Sequence, residues 1–195
     1  TRDEFLATPT PVIRTETPPP PSTPVWFPPS ATPTLRAESP LLPTAEMRPG
    51  LGNVLIEDDF SDPALWTLAA SNQGSAGIED NRLTLAVQSG VYLLSLRQEA
   101  IPNNYYAEIT ARPSLCRGED NYGLLIRADS ASYYRFALAC DGTVRAERVL
   151  SGSRLPLQAP LPSADVPPGA PGEVRIGVWA FGRDIRFFLN GRFQF

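Results

Sequence analysis

Proline placement constrains this chain more than any other feature. Thirteen of its 22 prolines fall within residues 1–50, and runs such as Thr17-Pro18-Pro19-Pro20-Pro21 leave no apolar period and remove a backbone donor every few residues. Proline fixes φ and pushes the preceding residue toward extended backbone, so this stretch is expected to form a polyproline-II-like arm rather than helix or sheet. At about 3.1 Å per residue the arm spans on the order of 150 Å. A solvated arm of this kind becomes ordered only where it lies against a neighbour, so other protein subunits are expected to contact residues 1–50. Val25, Trp26 and Phe27 are the main docking candidates, because two large rings left in water are wasteful and Trp is a common interface anchor. Phe5, Leu6, Val12, Ile13, Leu41 and Leu42 are weaker anchors of the same sort. The alternative is that all of them are incidental apolar residues in a linker. The threonines of the arm are also open to O-linked glycosylation.

Residues 51–195 are long enough for one ordinary domain. The formal charge of −4 and scattered basic residues argue against nucleic acid, which requires clustered cations. All 17 basic residues are Arg, with no Lys and no His. Schiff-base chemistry, Ser-His-Asp and Cys-His catalysis and imidazole metal ligation are therefore excluded within this chain. The sequence shows neither an apolar run of 18 residues nor a signal-like start. If a signal or anchor precedes Thr1, the arm becomes a stalk and membrane contact runs through that anchor alone; otherwise the arm is an interdomain linker.

After Pro49-Gly50 the texture changes to short apolar runs cut by turn dipeptides, with no helix of three turns. Strands are expected at 54–60, 82–88, 91–97, 105–112, 122–129, 133–140, 143–150, 173–181, 185–190 and 192–195. Leu83, Leu85 and Val87 alternate with polar neighbours, as do Val174, Ile176 and Val178, and period two marks half-buried strands. Asp141-Gly142 and Asn190-Gly191 signal two-residue type I′ hairpins, and residues 182–184 form a related longer turn. The stretch 155–171 reads as a proline-rich loop. The pattern predicts an all-β fold, a two-sheet antiparallel jelly-roll sandwich.

Asp58-Asp59-Phe60-Ser61-Asp62-Pro63 followed by Trp66, then Glu79-Asp80-Asn81-Arg82-Leu83-Thr84-Leu85, Asn121-Tyr122-Gly123-Leu124-Leu125-Ile126-Arg127, Tyr133-Tyr134-Arg135-Phe136 and Asp141-Gly142 carry a resemblance. Over about residues 54–195 the chain resembles the concanavalin A-like, laminin-G-like jelly roll of bacterial extracytoplasmic proteins. It is also similar to domains described as 3-keto-disaccharide hydrolases. These motifs are turns and strand cores, so the resemblance implies fold more than function. Domains of this kind continue past the Asn-Gly hairpin with at least one more strand, which implies an open edge completed by further sequence or by a partner strand.

Cys116 and Cys140 are the only cysteines. In a meander of strands 105–112, 122–129 and 133–140 they come to the same end of one sheet, where a disulfide arches over the middle strand; the alternative is two buried thiols. A bridge favours an extracytoplasmic location, on the cell surface or in a periplasm-like space. Asp58, Asp59 and Asp141 are weak candidates for calcium, with turn capping as the alternative; no other cofactor is expected. The Glu-x-Asp-x-x-Glu arrangement of laminarinase-like glycosidases is missing, and the adjacent acids Asp58 and Asp59 point to opposite faces, so no catalytic residue is expected.

Tyr92, Tyr106, Tyr122, Tyr133 and Trp179 with Arg127 and Arg135 form a possible glycan platform, in which rings stack on sugar faces and guanidinium groups bond hydroxyls. In each Tyr-Tyr doublet only one ring faces outward, so core packing competes for half of them. Together these features point to a non-enzymatic, extracytoplasmic accessory subunit whose arm docks on partners. The alternative is a carbohydrate-binding module, or the remnant of a glycan-acting enzyme, on a stalk. A weaker third reading is a filament subunit whose open edge another chain fills.

Overall fold

The computed structural model describes residues 46–129 and 131–195, together with Pro19. The expected docking residues Phe5, Leu6, Val12, Ile13, Val25, Trp26, Phe27, Leu41 and Leu42 lie outside the described residues. The fold is an all-β sandwich of antiparallel sheets. Its strands are β1 (Ala69–Ala70), β2 (Gly74–Glu79), β3 (Arg82–Val87), β4 (Tyr105–Ala111), β5 (Asn121–Ile126), β6 (Ser132–Ala139), β7 (Thr143–Leu150), β8 (Ser153–Pro162), β9 (Val174–Phe181), β10 (Asp184–Leu189) and β11 (Arg192–Phe193). One sheet runs β11-β10-β9-β4, a second β5-β6-β7-β8, and a third, smaller one β1-β2-β3. Among the described residues no helix is long and apolar enough to cross a membrane.

Alternation builds the sandwich. Val174, Ile176, Val178 and Ala180 of β9 and Phe187 and Leu189 of β10 meet Ile126, Phe136, Leu138, Val144 and Ala146 of the β5–β8 sheet in one buried cluster. Across the two sheets the rings of Phe136 and Phe187 stack with centroids 5.0 Å apart, and Phe195 closes on Phe187 at 5.3 Å. The tyrosine doublets split by parity: Tyr105 and Tyr134 pack against the core, while Tyr106 and Tyr133 are their outward-facing neighbours.

Several expectations need correction. Residues 54–60 form no strand, and 91–97 contribute only an isolated bridge between Trp66 and Arg97. A strand needs a neighbouring ladder, and neither segment finds one among the described residues; Val54 and Leu55 are left 79% and 75% exposed. The expected loop at 155–171 is strand β8 as far as Pro162. Prolines 156, 160 and 162 hid it, yet β8 is an edge strand, where a proline nitrogen can face away from the ladder and deny the edge to another chain.

The turn at Asp141-Gly142 is not type I′, because only Gly142 has positive φ, at 91°. Residues 140–142 form a three-residue connection, with Ala139 opposite Thr143 in the resulting register and Gly142 N–H donating to Ala139 O. Asn190 and Gly191 do both have positive φ, at 50° and 78°, as type I′ demands.

The cysteines are bridged, with Cα atoms 5.8 Å apart, but not within a meander. Strand β4 belongs to the sheet opposite β5 and β6. The bridge therefore ties the crossover between sheets, which carries Cys116, to Cys140 at the end of β6. Cys140 N–H donates to Asp120 O beside it.

Candidate functional site

The structure divides the expected glycan platform among four places. Tyr122 points into the sandwich, where its hydroxyl is buried without a partner. Arg127 follows the last residue of β5, and its guanidinium donates to Asn103 O. Tyr106 and Trp179 sit opposite each other on the outer face of the β4-β9-β10 sheet.

That outer face is already occupied by the chain itself. Arg186 donates to Met47 O and Trp179 Nε1 to Pro49 O. The Arg48 guanidinium lies 5.4 Å from the ring centroids of both Tyr106 and Phe188. Residues that composition assigns to the arm thus cap the aromatic face, leaving Trp179 6% exposed. Cation–π contacts of this kind explain why the segment settles there.

The remaining members, Tyr92, Tyr133 and Arg135, gather on the outer face of the β5–β8 sheet. Arg135 stands directly opposite Glu147 in the β6–β7 ladder, and their side chains form an ion pair. Arg145, two residues before Glu147 and so on the same face, brings its Nε to 3.6 Å from Glu147 Oε1. The Arg135 guanidinium lies 4.8 Å from the centroid of the Tyr92 ring, which the segment between β3 and β4 lays over it.

Arg135 is 4% exposed and Tyr92 45%, so the cation is set in the sheet and the ring is offered to solvent. Burial works against the Arg135 charge, but bonding to Tyr92 and Glu147 outweighs it and holds the guanidinium above its ordinary range. Burial pushes the Tyr92 hydroxyl up, against the pull of Arg135. The Nε atoms of Arg135 and Arg145 are both buried without a hydrogen-bond partner. Sequence reading found Tyr92, Tyr133 and Arg135 but missed Arg145 and Glu147. Their alternation with Val144 and Ala146 was visible, but the register that sets them beside Arg135 was not.

The calcium candidates serve as turn acids. Asp58 accepts from Phe60 N–H at 2.8 Å, Arg97 Nε at 2.9 Å and Trp66 Nε1 at 3.0 Å, holding Phe60 at a φ of 59°. Asp59 accepts from Ser61 N–H, and Asp141 from the N–H and hydroxyl of Thr143. Among the described residues no three acidic, Cys or His side chains are grouped to hold a metal ion.

Burial raises the Asp58 carboxyl, but its bonds with Arg97, Phe60 and Trp66 prevail and hold it below the usual carboxylate range. A native pKa below the unfolded value of about 3.9 gives stability that is complete above that pH and lost as pH falls through the native value. Asp58→Asn is therefore expected to lower the melting temperature at pH 6, with the gap to the unsubstituted chain narrowing toward pH 3. A gap of constant size across a pH series of thermal melts would contradict this role.

No known family matches the chain, and no curated protein matches it. Among solved structures, sheep galectin-11 in complex with glycerol is similar at 15% identity, over 49% of this chain and 79% of that one, with a TM-score of 0.32. A likeness this slight carries no argument about the site. The all-β antiparallel sandwich stands on its own strand order, and the finer resemblance to 3-keto-disaccharide hydrolases gains no support.

Proposed function

We propose that the sandwich is a non-enzymatic carbohydrate-binding module, acting outside the cytoplasm, and that it takes its ligand at Tyr92, Tyr133, Arg135, Arg145 and Glu147. The observation that carries this reading is the half-exposed Tyr92 ring fixed over a sheet-embedded Arg135–Glu147 pair. Sugar recognition needs an apolar ring for the C–H face and rigid donors and acceptors for hydroxyls, and this patch supplies the ring from the segment between β3 and β4 and the polar groups from β6 and β7. The Cys116–Cys140 bridge supports the extracytoplasmic location.

The absence of His and Lys from the sequence supports binding without chemistry. So does the engagement of Glu147 with two arginines, since glycoside hydrolysis uses a pair of carboxyl groups about 5–9.5 Å apart, one of them kept protonated. The expected docking of the arm on partner subunits draws no support from the described residues.

Screening the full chain on a glycan array, followed by calorimetry on the best neutral or acidic oligosaccharide, tests the reading. Tyr92→Ala is expected to weaken binding about tenfold, the loss of one ring contact and its cation partner, with the fold intact. An array without hits, or unchanged affinity in Tyr92→Ala, would overturn it.

A further inference from the structure

Among the described residues, Arg135 and Arg145 share Glu147 as the one carboxylate within ion-pair distance of both, while the turn acid Asp141 acts on Arg145 only at longer range. The donors do not balance. Glu147 Oε2 is taken up by Arg135, while the 3.6 Å separation of Arg145 Nε from Oε1 is too long for a hydrogen bond. Both guanidinium groups thus keep a buried Nε–H with no acceptor, and Arg135 is almost wholly removed from water. Native proteins seldom bury such donors unless something answers them.

An acceptor that carries its own negative charge gives Arg145 the close partner that Glu147, 3.6 Å from its Nε, does not. Guanidinium groups bind planar carboxylates through paired N–H donors, and the gain is largest where water is already excluded. Arg145, with a side chain 26% exposed, is the member a ligand reaches first. The exposed Tyr92 ring, held over the neighbouring Arg135, gives a pyranose ring a surface to lie on.

We infer that the carbohydrate taken at this patch is an acidic one, a hexuronate-type sugar whose carboxylate pairs with Arg145 beside the Arg135–Glu147 pair. This rests on the carbohydrate reading above and sharpens it to a ligand class.

The test compares an oligogalacturonate with its methyl-esterified form, titrated into the full chain, with sodium acetate as a third arm. The acid form is expected to bind at least tenfold more tightly than the ester, and its affinity to fall as ionic strength rises. Acetate at the same concentration is expected to bind far more weakly, because it lacks the ring that meets Tyr92. Arg145→Gln is expected to abolish the preference for the acid, bringing the acid-to-ester affinity ratio close to one; Arg145→Lys, which keeps the charge but not the paired donors, is expected to restore part of that ratio.

Equal binding of acid and ester, or a preference that survives Arg145→Gln, overturns the acidic-sugar inference and leaves the carbohydrate reading standing. Binding of acetate as tight as that of the oligosaccharide reduces the patch to a plain anion site and overturns both. So does failure of both oligosaccharides to bind. If Arg145→Gln is not folded by circular dichroism, the salt dependence and the acid-to-ester ratio of the unsubstituted chain decide alone.

Discussion

Phe187→Ala is expected to cost about 3–5 kcal/mol of stability, lowering the melting temperature on the order of 10 °C. Phe187 is fully buried in the middle of the sandwich, between Phe136 of the opposite sheet and Phe195. Its removal takes away the transfer free energy of a large ring and leaves a cavity that two ladder-bound sheets cannot collapse to fill. The contrast is Phe193→Ala. Phe193 lies on the outer face, 44% exposed, and touches Phe188 only by its edge, so a loss near 1 kcal/mol is expected. Chemical denaturation of both variants checks the ranking. Equal losses would mean that the two sheets do not share the core described here.

Gly123→Ala is the second large effect, expected to cost about 3 kcal/mol. A Cβ at this position would lie 1.9 Å from the carbonyl oxygen of Phe136 and 2.9 Å from its carbonyl carbon. Those are backbone atoms of the neighbouring strand, so no side chain can swing aside and the β5–β6 ladder itself has to open. The damage would spread beyond the strand pair, since Leu124 and Ile126 of β5 contribute to the core and Arg135 of β6 to the candidate site. Gly77→Ala is the control. In β2 nothing lies within 4 Å of the added methyl, and replacing a strand glycine there is expected to be neutral or to stabilise by about 0.5–1 kcal/mol. Denaturant midpoints of the pair should separate clearly, and a tolerated Gly123→Ala would contradict the β5–β6 register.

The capped aromatic face shows how far composition can mislead about boundaries. Met47, Arg48 and Pro49 belong to the proline-rich stretch by every local measure. Yet they lie against Trp179, Arg186, Tyr106 and Phe188, residues more than fifty positions away in sequence. No local rule assigns a short polar segment to a distant ring. The same limit hid strand β8, whose prolines carry a loop signature that edge placement overrides.

What the sequence determined by itself was the all-β character, most of the strands from residue 82 onward, and the inward and outward faces of β9, because side-chain period and turn chemistry are local. Missing His and Lys were equally plain, and they remove whole classes of catalysis. The tertiary structure alone decided the partners. A two-residue hairpin at Asp141-Gly142 would set Arg148 opposite Arg135, cation against cation. The three-residue connection seen here shifts the register by one and sets Glu147 there instead. It also placed Cys116 in the crossover between sheets rather than over a meander. Register and sheet membership depend on loop length and on contacts between distant segments, and neither is written in the alternation of a single strand.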